Sequence, residues 1–153
     1  MVKRRVLFLC THNSARSQMA EGLLRRLAGD RFEVFSAGTE ATQVQPLAIR
    51  AMQEIGIDIS GQQSKTLDRY LGEPFDAVIT VCDHANEACP VFIGAEKRLH
   101  WSFRDPSQTT GTDKERLVVY RAVRDAIRDR IERELLASAI SERVNGNGRY
   151  WKA

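Results

Sequence analysis

A chain of 153 residues, 42% hydrophobic and 28% charged, has an ordinary soluble composition and the size of one domain with one core. Its formal net charge of +3 is spread along the sequence, which argues against a nucleic-acid-binding surface and suits a small anionic ligand. The apolar run at residues 6–9 is too short for a signal-peptide core or a membrane span, so the expectation is a cytoplasmic protein with no membrane partner.

Residues 4–9 read as a buried strand, and the small and polar residues 10–14 break it. Residues 15–27 take helical spacing, with Met19, Leu23, Leu24 and Leu27 on one side and Gly29 as the stop. Residues 32–37 give a second strand, ended at Gly38, and residues 46–55 a helix closed by Gly56. Residues 75–81 form a third strand and residues 97–101 a short fourth. Thr112 and Asp113 offer an N-cap for a long helix, in which Leu117, Tyr120, Val123, Ile127, Ile131 and Leu135 recur every three or four residues. Beyond Ala139 the sequence turns polar, so residues 140–153 are expected as a loosely ordered tail, with Tyr150 and Trp151 able to dock.

Strands alternating with helices define an α/β fold: one domain, residues 1–139, with a four-stranded, mainly parallel open sheet flanked by helices. Ligands bind such sheets beyond the C-terminal strand ends. Cys10 ends the first strand, Cys82 ends the third, and Asp105 follows the fourth, so all three should gather on one edge. The three cysteines, Cys10, Cys82 and Cys89, are an odd number without a leader sequence, which argues against a structural disulfide framework.

The segment Cys10-Thr11-His12-Asn13-Ser14-Ala15-Arg16-Ser17 lies between a buried strand and a helix start. A cysteine followed six residues later by arginine is weak as a bare pattern; its placement gives it meaning. Backbone N–H groups wrapping into a helix N-terminus form an anion nest, and Arg16 adds a planar fork matched to a tetrahedral oxyanion. Cys10 then sits in a positive field that favours the thiolate, and Ser17 can donate a hydrogen bond to it. His12 is read as a loop position valued for its backbone rather than as a base.

C-x5-R-S after a first strand resembles the low-molecular-weight protein tyrosine phosphatase superfamily, and the run from Cys10 to Glu21 is similar to its thioredoxin-coupled arsenate reductases. The resemblance covers roughly residues 3 to 135. It implies a nucleophilic Cys10, an oxyanion held by residues 11–17 (Thr11, His12, Asn13, Ser14, Ala15, Arg16 and Ser17), and no cofactor.

For Cys82 and Cys89 the residues leave three readings open: an incidental pair, a loose zinc site with His84 and His100, or a redox couple. The zinc spacing is poor, and no metal is expected. The resemblance implies the couple, because these reductases carry a C-x6-C pair after the third strand. It further implies a relay. Cys10 forms a thiol-arsenate adduct, Cys82 attacks Cys10 and releases arsenite, and Cys89 attacks Cys82 to leave a disulfide that thioredoxin reduces. Glutaredoxin is the other carrier the sequence allows, and a monomer is expected.

Asp105 precedes Pro106 after the fourth strand and is either a plain Asp-Pro turn or a general acid. The resemblance favours the acid, with Asp83 and Asp113 as substitutes. Some relatives bind potassium near the loop through Asn, Glu, Ser and Asp. Asn13, Glu21 and Ser36 match, while Lys65 stands at the fourth position, where its ammonium is expected to replace the cation and pair with Glu21. The runner-up function is a phosphatase working through a Cys10 phosphoenzyme, although the sequence after Pro106, Ser-Gln-Thr-Thr, lacks the aromatic pair that sandwiches phosphotyrosine. A phosphate- or zinc-binding regulatory module ranks last.

Overall fold

Four parallel strands frame the computed structural model, which describes residues 2–83 and 88–137. The expected tail, residues 140–153, and His84 lie outside the described residues. The strands are β1 (Arg4–Cys10), β2 (Phe32–Gly38), β3 (Phe75–Thr80) and β4 (Ala95–His100), ordered β2-β1-β3-β4 with every pairing parallel. β1 sits inside the sheet, and Val6 through Cys10 are essentially inaccessible. Burial on both faces explains why that stretch is a continuous apolar run rather than an alternation.

The helices are α1 (Arg16–Ala28), α2 (Pro46–Gln53) and α3 (Asp113–Ile131), the last continued by a wider π turn at Glu132–Leu136. Val6, Phe8 and Cys10 point to the side on which these helices pack, into a core with Met19, Met52, Tyr120 and Ile127. Leu7 and Leu9 point to the other side, which Tyr70, Phe75, Val78 and Phe92 cover. α3 starts with the expected cap in its complete form. Thr112 Oγ1 accepts from the Glu115 amide at 3.2 Å, and Glu115 Oε1 accepts from the Thr112 amide at 3.0 Å.

Two local features depart from the sequence reading. β4 begins at Ala95, two residues early, and includes Glu96, Lys97 and Arg98. These carry no apolar signal, but β4 is an edge strand whose form comes from pairing with β3, starting at Phe75 opposite Ala95. Short 3-10 turns at Leu67–Tyr70 and Pro106–Gln108 were not foreseen. The first is held by Tyr70, edge-on to Phe35 at 5.5 Å and to Phe75 at 5.9 Å, contacts no local pattern announces.

The register aligns the strand ends. Cys10 lies opposite Gly38, and Leu9 opposite Thr80, which in turn faces His100. Val81 N–H extends the ladder by donating to Leu9 O at 2.8 Å, so Cys82 follows directly at the edge where β1 ends in Cys10.

Candidate active site

The loop after β1 is shaped by what its carbonyls bond. Thr11 O accepts from Glu40 N, His12 O from Ser64 Oγ, Asn13 O from Gln18 Nε2, Ser14 O from Gln45 N, and Ala15 O from Met19 N. Five successive carbonyls are thereby drawn to donors elsewhere. Across a planar peptide the C=O of one residue and the N–H of the next point in opposite directions. The amides of residues 12–16 therefore turn away from those donors, towards the opposite side of the loop. α1 begins at Arg16 with no side-chain cap, so its first amides are left for a ligand at that end.

Asn13 makes the turn possible. Its φ of 50° lies in the left-handed region, where asparagine is among the better tolerated residues. Its side chain is wholly buried and orients a polar network. The Lys65 amide donates to Asn13 Oδ1 at 2.8 Å, which settles which way the amide faces. Asn13 Nδ2 then donates to Ser17 Oγ at 2.8 Å and Ser36 Oγ at 2.9 Å. Each hydroxyl, having accepted, still has its own proton to give. Ser17 Oγ lies 2.8 Å from Cys10 Sγ, within hydrogen-bond reach, and its hydroxyl can serve the sulfur as donor or acceptor. Ser36 Oγ donates to Glu21 Oε1 at 2.5 Å.

Glu21 closes the network among cations. Its Oε2 takes Arg25 Nη2 at 2.6 Å, and its Oε1 lies 3.9 Å from Lys65 Nζ, which also donates to Gln63 O at 2.5 Å. Thus Asn13, Glu21, Ser36 and Lys65, singled out in the sequence, meet in one buried cluster. Burial pushes the Lys65 ammonium below the ordinary value of 10.5, and Glu21 opposes that shift. A base whose folded value is depressed holds fewer protons than in the unfolded chain, between that lowered value and 10.5. Stability should therefore rise with pH through that window. In Lys65→Met the rise should vanish, as read from urea midpoints across the alkaline range.

Arg16 is buried, with its side chain 3% exposed, and spans the loop that follows β4. Nη1 donates to Phe103 O at 3.2 Å, and Nη2 lies 3.4 Å from Asp105 Oδ2. Asp105 Oδ1 accepts from the Ser107 amide at 2.9 Å and from Ser107 Oγ at 2.7 Å, which leaves Oδ2 as the oxygen facing the site. Asp113 stands away from this edge, 74% exposed at the start of α3. Asp83 follows Cys82 and is half-buried. His12 serves through its carbonyl, while its ring is 38% exposed and 3.8 Å from Glu40.

Cys82 and Cys89 are joined as a disulfide with Cα atoms 6.0 Å apart, while Cys10 is a free thiol. Cys82 is fully buried in the same cluster as Cys10, and Cys89 is partly exposed at its margin.

Two contributors were not evident in the sequence as parts of the site. Gln18 is buried and reaches Asn13 Oδ1 at 2.9 Å, while Gln62 Nε2 holds Gln18 Oε1 at 2.8 Å. Gly38, read only as a strand end, lies directly under the loop. A Cβ there would sit 2.7 Å from both Asn13 N and Thr11 O and 3.0 Å from Cys10 O, all of them main-chain atoms. Gly38→Ala should weaken phosphate binding measured by calorimetry and lower stability to urea by about 1–3 kcal/mol.

The chain is similar in sequence and fold to known proteins. The family model for low molecular weight phosphotyrosine protein phosphatase matches residues 5–145. An arsenate reductase of Halalkalibacterium halodurans is 50% identical over 132 residues, covering 86% of this chain and 95% of its own. A solved arsenate reductase in the oxidized state superposes with a TM-score of 0.71 at 36% identity, covering 85% of this chain and 95% of that one. A thioredoxin-dependent arsenate reductase of Corynebacterium glutamicum gives a TM-score of 0.58 at 29% identity, covering 91% of this chain and 62% of that one.

Proposed function

The chain belongs to the low molecular weight phosphotyrosine protein phosphatase family, and within it to the arsenate reductases, and from that premise we propose a three-cysteine route from arsenate to arsenite. Arsenate enters the nest of residues 11–17, with its oxygens on the inward amides and the Arg16 fork. An oxyanion that takes the guanidinium draws it from Asp105 Oδ2, and that oxygen is then the one to carry a proton to the departing hydroxide. The Cys10 thiolate attacks arsenic, an S–As bond forms, and water leaves. The Cys82 thiolate next attacks Cys10 Sγ. The S–As bond breaks, its electron pair stays on arsenic, and arsenite departs as As(III). Cys89 attacks Cys82 Sγ, releasing the Cys10 thiolate and leaving a Cys82–Cys89 disulfide. A dithiol carrier, thioredoxin by likeness to the Corynebacterium relative, returns that bond to two thiols.

One observation carries this reading: the Cys82–Cys89 disulfide stands beside a free Cys10 at one sheet edge. That is the covalent arrangement with which the route ends. A phosphoenzyme on Cys10 is the competing outcome, since the same nest, Arg16 and Asp105 suit a phosphate ester. Arsenite release by wild type, Cys82→Ser and Cys89→Ser, with thioredoxin, thioredoxin reductase and NADPH, separates the two. The route requires both variants to stop turning over. Full activity in either one sinks it, and phosphate-ester hydrolysis needing Cys10 alone would assign the phosphatase.

Lys65 takes the place of a cation beside Glu21, so arsenate affinity should not change when potassium replaces sodium. A clear rise with potassium would show an ion entering the cluster instead. A monomeric protein working in the cytoplasm fits this chemistry, which needs a reduced thiol carrier. Among the described residues no helix is long and apolar enough to cross a membrane.

A further inference from the structure

Gln18 and Gln62 have no part in the proposed route, yet their amides can face only one way. Gln18 Nε2 lies 3.0 Å from Asn13 O, 2.9 Å from Asn13 Oδ1 and 2.9 Å from Gln63 O. All three are acceptors, since the Lys65 amide holds Asn13 Oδ1 in place, so only a nitrogen can stand among them. Gln18 Oε1 therefore points the other way. There Gln62 Nε2 donates to it at 2.8 Å and to Gln18 O at 3.1 Å. That turns Gln62 Oε1 outward, where Arg25 Nη1 donates to it at 3.3 Å.

Joined end to end, these bonds close a ring with one sense. In it Arg25 only donates and Glu21 only accepts. One arm between them is direct, from Arg25 Nη2 to Glu21 Oε2 at 2.6 Å. The other runs from Arg25 through Gln62, Gln18, Asn13 and Ser36 to Glu21, each group accepting from the one before and donating to the next. At Asn13 a branch leaves the ring through Nδ2 to Ser17 Oγ, which lies 2.8 Å from Cys10 Sγ. Hydrogen bonds aligned head to tail polarise one another, and the effect is greatest away from water; Asn13, Ser17 and Gln18 are all wholly buried.

We infer that Arg25, Gln62 and Gln18 are positioning residues for the nucleophile: they fix the sense of this path, so that it ends with the Ser17 hydroxyl donating to the Cys10 sulfur. The inference rests on Cys10 being the nucleophile of the proposed route. The influence of these three residues reaches the sulfur through Asn13 and Ser17, and that supplies the test.

The protein with its Cys82–Cys89 disulfide intact has Cys10 as its free thiol. Alkylation of that form by iodoacetamide reads the sulfur without arsenate, so failure of the path and failure of the route are seen separately. Rates are compared on the acid limb of the pH profile, where a donor that favours the thiolate speeds the reaction. Gln62 is half-buried, and glutamate has its shape. Gln62→Ala removes a link, and Cys10 should alkylate about threefold more slowly. Gln62→Glu sets an acceptor against Gln18 Oε1, and alkylation should slow by about tenfold. Arg25→Met, at an exposed position, should act like Gln62→Ala. In a Ser17→Ala background none of the three should change the rate further, because the path no longer reaches Cys10. A role in shape alone requires the reverse order, with Gln62→Glu nearer wild type than Gln62→Ala. That order, or equal slowing with and without Ser17, overturns the inference.

Discussion

Cys10→Ser should abolish arsenite formation, by at least about 10⁴-fold, while phosphate binds within a few-fold of wild type. The two halves have different causes. Binding depends on the inward amides of residues 12–16 and on Arg16, and the substitution touches neither. Chemistry depends on a nucleophilic sulfur, which lies 2.8 Å from Ser17 Oγ. A serine hydroxyl stays protonated there, and its oxygen cannot become half of a disulfide, so no electron pair reaches arsenic. Calorimetry with phosphate and an arsenite assay read the halves separately. Turnover surviving in Cys10→Ser would remove this residue from the reaction. Loss of both properties together would mean that the sulfur organises the loop rather than acting in it.

Arg16→Lys should lower kcat/KM for arsenate by about 10²–10³-fold and weaken phosphate binding as well. The buried guanidinium reaches two groups at once, Phe103 O at 3.2 Å and Asp105 Oδ2 at 3.4 Å. A lysine keeps the charge and loses the fork. It cannot hold the loop after β4 and also present two parallel donors to an oxyanion. Asp105→Asn provides the contrast. It removes the carboxylate that competes for Arg16, so phosphate should bind as well as before or better, while kcat falls because the proton donor is gone. If the two variants changed binding in the same direction, Arg16 and Asp105 would not compete in the manner described.

The residues proposed for this chemistry could be picked out in the sequence because their signals are local. A buried run ending in Cys10, a loop and a helix start at Arg16 lie within one short stretch, and Thr112 with Glu115 announces α3 by the same kind of rule. What escaped depends on partners distant in sequence. The pairing of Lys65 with Glu21 was anticipated, but not that the Lys65 main chain, 52 residues from Asn13, sets the direction of every hydrogen bond from Asn13 to Cys10. Gln18 looked like any residue on a helix face until Gln62, 44 residues on, held its amide. Gly38 had a turn residue's appearance, and only the register with Cys10 puts it beneath the loop. The first two residues of β4, Ala95 and Glu96, were missed because an edge strand draws its form from its neighbour and needs no apolar pattern of its own.

The outward carbonyls of residues 11–15 have a consequence for selectivity. A cradle lined with main-chain amides recognises charge and tetrahedral shape, and it carries no side chain tuned to the central atom. Phosphate offers the same shape and charge, so it should act as a competitor of arsenate at this cradle. Discrimination then arises after capture. Arsenic(V) can keep the electron pair when its bond to sulfur breaks and leave as As(III), whereas phosphorus cannot. On the proposed route the protein would sort the two anions by what they become, and a cell rich in phosphate would slow the enzyme without misleading it.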